Sequence, residues 1–141
     1  MAPAPFISTF IALALVPVAF LFTHAYLSGK RKLRFHKVTG IAGILWDLSM
    51  SIFYMLYRTF GGSVEGAILD INPQMWAYFA AHGMIAVLVI ALEFAILGTG
   101  LLQWRLSKRL RWHGKLSNPL YLLWFAAFIS GEVVYLAFYV L

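Results

Sequence analysis

The sequence predicts an all-α integral membrane protein, an up-down bundle of four transmembrane helices. Of its 141 residues 62% are hydrophobic and only 11% charged, and the mean hydropathy is +0.84; a water-soluble single domain does not carry that balance. The apolar residues also gather into four runs, each longer than the ~20 residues needed to cross ~30 Å of hydrocarbon. Inside lipid every backbone amide must bond within its own segment, so the runs are helices, and no alternating ten-residue pattern suggests a barrel. A single membrane domain spans residues 1–141.

The first run, about residues 6–27, has no basic stretch before it and is followed by Lys30, Arg31, Lys32, Arg34 and Lys37. A cleaved signal peptide carries its charge at the other end, so this is a retained helix, interrupted only by Pro17. The second run covers about 38–60, the third about 74–103 and the fourth about 119–141, starting at Pro119. Ten of the eleven Lys and Arg residues fall in two clusters, between runs one and two and between runs three and four (Arg105, Lys108, Arg109, Arg111, Lys115). The glycine-rich connection between runs two and three has no Lys or Arg and carries Glu65 and Asp70. This places the basic loops in the cytoplasm and both termini on the non-cytoplasmic side of the membrane. The same clustering assigns the charge to orientation and anionic lipid rather than to nucleic acid. With connections this short, neighbouring helices pack antiparallel and helices two and four lie on a diagonal.

The chain has no cysteine, which excludes disulfides, thiolate ligands and thiol catalysis. It contains no nucleophile motif, phosphate loop or zinc-protease signature, so nothing points to hydrolytic or transferase chemistry. Chemistry is sought instead among polar groups that lipid disfavours. Asp47, Glu93 and Glu132 lie well inside helices two, three and four, where a central Asp costs about 2.5 to 3.5 kcal/mol on insertion scales. At 1.5 Å per residue Asp47 and Glu93 both lie ~15 Å from the cytoplasmic ends. His36 and Asp47 are eleven residues apart, as are His82 and Glu93, a spacing that returns to within ~20° of one helical face. In helix two that face continues through Gly40, Gly43, Ser51, Tyr54 and Arg58. Asp47, His82, Glu93 and Glu132 are therefore candidates for proton relay, and His82 with Glu93 for a quinone headgroup.

His24, His36 and His113 all fall near the cytoplasmic surface. His36 opens helix two and His113 precedes helix four, and diagonal helices at one depth can hold a haem iron from both faces. Arg34 and Arg111 are then placed to neutralise its propionates. The three histidines are alternatively ligands for copper, iron or zinc, or solvated interface residues. His82 has no histidine partner at its depth. A weak internal echo, Leu33-Arg34-Phe35-His36 against Leu110-Arg111-Trp112-His113, extends to Trp46 with Trp124 and Tyr57 with Tyr135.

The strings Leu-Arg-Phe-His-Lys with Asp47 eleven residues past the His, Ala-His-Gly-Met opening helix three, and Arg-Trp-His-Gly-Lys-Leu-Ser followed by Trp124 and Phe-Ile-Ser-Gly at 128–131 resemble the small four-helix bacterial membrane families called HsmA-like and YozB-like. The likeness covers helices two to four. It implies a small membrane protein distantly like b-type cytochromes, in the neighbourhood of cytochrome oxidase, and singles out His36, Asp47, His82 and His113. Where the HsmA-like pattern has a second histidine in helix three, this chain has Glu93.

Three functions follow as expectations. One is a redox protein holding haem b and passing electrons between quinol or a respiratory partner and an acceptor. Another is a cofactor-free accessory subunit of a larger respiratory or photosynthetic membrane complex, or a homo-oligomer. The third is a proton or metal transporter.

Overall fold

The computed structural model describes residues 6–32, 34–60 and 72–141. It comprises four helices, α1 (Phe6–Lys30), α2 (His36–Thr59), α3 (Pro73–Leu106) and α4 (Arg111–Tyr135), the last continued by a π-helical turn, Leu136–Val140. All four are long and apolar enough to cross a membrane, and among the described residues there is no strand. The glycine-rich connection carrying Glu65 and Asp70 lies outside the described residues.

Local chemistry accounts for several of the ends. Asn72 caps α3, its Oδ1 accepting the Met75 N–H at 2.9 Å with Pro73 in the first turn, where a missing N–H costs nothing. At the other end of α3, Ser107 adopts a left-handed conformation (φ 49°) and its N–H bonds back to the last turn, the usual way orphan carbonyls are satisfied. Gln103 Oε1 then accepts the Leu110 N–H at 2.9 Å, which ties this short turn to the start of α4.

The fourth helix starts eight residues before the position expected from Pro119. Its first two turns are polar, and Pro119 sits inside it. A proline withholds one N–H from the residue four back, here Lys115, close enough to the basic end for the freed carbonyl to find water. His113 is therefore part of α4 rather than of the loop before it. Pro17 withholds an N–H from the Leu13 carbonyl in the same way, and one residue on the Ala14 carbonyl accepts the Trp46 indole N–H from α2 at 2.8 Å, tying the two helices at this point.

Residues of α1 and α2 meet in reverse order, Gly43 against Phe22 and His36 against Gly29. The same holds for α3 with α4 (Tyr78 to Ser130, Thr99 to His113) and for α1 with α4 (Thr9 to Tyr135, Thr23 to Tyr121, Tyr26 to Asn118). The two hairpins are the main units, α2 and α3 barely approach, and α2 and α4 lie on a diagonal. A central core of Val18, Phe22, Ile44, Leu48, Val89, Ile96, Leu120 and Trp124 joins all four helices. Within it the Trp124 ring stacks on Phe128 (5.1 Å, 11°) and meets Phe22 edge-on at 5.0 Å.

Candidate functional site

At the basic end, α1 and α2 are joined by a turn of only a few residues, so the first side chain of α2 folds back on α1. The His36 ring lies on Gly29, where an added Cβ would stand 2.7 Å from Cε1. Its Nδ1 donates to the Ala25 carbonyl at 2.6 Å. A carbonyl only accepts, so Nδ1 carries a proton, and it is Nε2 that holds the lone pair of the neutral ring. In the other hairpin the His113 ring lies on Gly100, with a hypothetical Cβ 3.0 Å from Cε1. Its Nδ1 meets Thr99 Oγ1 at 3.2 Å, and the Thr99 hydroxyl proton is committed to the Ala95 carbonyl at 2.8 Å. Nδ1 is again assigned as the donor and Nε2 as the free nitrogen. From diagonal helices the two rings come within 6.0 Å, centroid to centroid, at 79°.

Both histidines line one cavity of about 1410 Å³ at this end of the bundle, larger than the ~300–1,000 Å³ of ordinary ligand pockets. Its floor is apolar, formed by Ile44, Ile96, Leu97 and Leu120, and its mouth carries Lys32, Lys37, Arg109, Arg111 and Lys115 with no Asp or Glu in the lining. Lys37 is held with its Nζ 3.4 Å above the Trp104 ring. An apolar floor under a cationic mouth suits an apolar body with an anionic edge. Of the two arginines expected to serve that edge, Arg111 lines the cavity and Arg34 does not.

His24 does not join this pair. It is exposed, its Nδ1 bonded to Thr39 Oγ1 at 3.0 Å, and among the described residues no three His, Asp or Glu side chains converge as a metal-binding group. His82 repeats the local device elsewhere, its ring on Gly131 and its Nδ1 2.7 Å from Ser130 Oγ, which in turn donates to the Ala127 carbonyl at 2.9 Å.

One helical turn beyond the cavity floor lie the acids. Asp47 is 2% exposed; Oδ1 accepts the Trp124 indole N–H at 2.8 Å and Oδ2 the Ser51 hydroxyl at 3.4 Å. Glu93 faces it from α3, fully buried, and among the described residues no donor reaches either of its oxygens, so that its polar neighbour is the Asp47 carboxyl itself. The equal depth of these two residues in the sequence thus becomes a direct juxtaposition. Burying an ion costs several kcal/mol even after relaxation, and among the described residues no Lys or Arg is paired with either acid. Glu132 is only half-buried on α4 and stands apart from the pair.

Sequence reasoning singled out the histidines and acids but missed Gly29, Gly100, Thr99 and the Trp124 donor, which hold them. The only local trace was the internal echo, which the structure reproduces at His36 and His113. It fails at the tryptophans, since Trp46 bonds a backbone carbonyl and Trp124 bonds Asp47. No family model, curated protein or solved structure matches this chain.

Proposed function

We propose that this chain is a multi-pass protein of the bacterial cytoplasmic membrane, an up-down bundle with its basic end in the cytoplasm, that binds haem b between His36 and His113 and serves electron transfer with a respiratory partner. The observation that carries the reading is the facing pair of histidines, each with Nδ1 anchored to the helix before it and Nε2 free, at the wall of one cavity. The two rings approach to 6.0 Å, centroid to centroid, from diagonal helices. Cavity size and the apolar floor under a cationic mouth suit a porphyrin with two carboxylates.

When bound, haem supplies one-electron chemistry. The residues of this chain would hold it: His36 and His113 would supply nitrogen ligands, Ala25 and Thr99 fix their tautomers, and Gly29 and Gly100 leave room for the rings. Arg111 and its basic neighbours hold the anionic edge at the mouth, while Ile44, Ile96 and Leu120 keep the floor dry.

The test is haem titration of the purified full chain, followed by its Soret absorption and by iron analysis. Saturation at one haem per chain, with sharply weaker binding in Arg111→Ser, supports the reading. No saturable binding would remove it and leave a cofactor-free accessory subunit, to be pursued by co-purification.

A further inference from the structure

We infer that Asp47 and Glu93 form a proton-binding site in the middle of the bundle, sharing one dissociable proton between helices α2 and α3. The site does not depend on what fills the cavity at the basic end. Three features of the geometry carry it.

First, the pair is sealed, with Glu93 fully buried and Asp47 at 2% exposure. Second, hydrogen bonding around it is lopsided. Asp47 is served by two donors, Trp124 and Ser51, whereas among the described residues no donor reaches either oxygen of Glu93, whose polar neighbour is the Asp47 carboxyl. A proton on Glu93 turns one orphan acceptor into a donor, and Asp47 has lone pairs left to accept it. One proton therefore removes one of the two negative charges and satisfies a buried oxygen. Third, among the described residues no other titratable group is recorded against the pair. The groups facing the pair are Ser51 from α2 and Trp124 from α4, Trp124 being backed by Phe22 of α1. None of these titrates or carries charge.

A metal cation fits the same oxygens less well. Hard cations collect six or more oxygen ligands, whereas only two carboxyls meet here, and the Trp124 N–H points into the shell at 2.8 Å.

The experiment is infrared spectroscopy of the full chain in lipid, with and without haem, in H₂O and D₂O. The expected result is a carbonyl band of a protonated carboxylic acid that shifts on deuteration, persists in Glu132→Gln and disappears in Glu93→Gln. Should Glu93→Gln not fold, Asp47→Asn is read in its place and must alter the same band. A band unchanged in these variants, or no such band, overturns the inference. So does loss of the band on adding sodium at fixed pH, which would make the pair a cation site. Because the band is read without haem as well, failure of the haem reading leaves this outcome intact.

Discussion

Replacing Gly29 by alanine places a methyl carbon 2.7 Å from Cε1 and 2.8 Å from Nδ1 of His36. Non-bonded carbons rest at about 3.5–4.0 Å, so the ring must retreat by at least about 0.8 Å. A retreat of that size along the Nδ1 to Ala25 carbonyl direction stretches the bond from 2.6 Å to about 3.4 Å, past the 2.7–3.2 Å range in which such bonds hold. Leaving a half-buried donor unmet costs about 1–3 kcal/mol, against about 1 kcal/mol gained by alanine over glycine in a helix. The net loss is therefore about 0–2 kcal/mol, while the site loses the bond that fixes its tautomer, a class of change worth about 10–100-fold in metal affinity. Gly98→Ala is the control, because nothing lies within 4 Å of the added atom. Haem titration and thermal unfolding in detergent read both quantities. Gly29→Ala should weaken haem binding at least tenfold with little change in Tm, and Gly98→Ala should leave binding intact. Equal behaviour of the two variants would refute the cradle.

Other perturbations give separable outcomes. Trp124→Phe keeps the ring stack on Phe128 but removes the donor to Asp47, and should destabilise the bundle by about 1–3 kcal/mol in thermal unfolding; an unchanged Tm would mean that the bond contributes nothing. Glu93→Met removes the acid that shares a proton with Asp47 and leaves Asp47 buried without it, and should destabilise the bundle by about 1–3 kcal/mol, so an unchanged Tm would mean that the pair contributes nothing to stability. The chain has no native cysteine, so Gln74→Cys and Lys108→Cys report sidedness directly. An impermeant thiol reagent added outside intact cells should label the first and not the second, and the reverse pattern would invert the orientation.

The four helices were legible because lipid leaves little freedom: an apolar run of sufficient length has to satisfy its own backbone. The start of α4 was not, since Pro119 reads as a boundary although a proline within two turns of the basic end forfeits only a carbonyl that water can serve. Counting residues along each helix put Asp47 and Glu93 at one depth but did not pair them, because depth alone leaves the helix face undetermined. Likewise His24 shares the depth of His36 and His113 but points to Thr39. The supporting residues were invisible for a further reason: Gly29, Ala25, Thr99 and Gly100 act on histidines of the neighbouring helix, so their meaning depends on how the helices are rotated, which no spacing within one helix records.

The most direct measurement is the dithionite-reduced minus oxidised visible spectrum of the purified protein and of His36→Ala, His113→Ala and His24→Ala. A b-type α-band present in the parent and in His24→Ala, and lost in both His36→Ala and His113→Ala, is the predicted result. A featureless spectrum in the parent, or a band that survives loss of either cavity histidine, would contradict haem ligation by this pair.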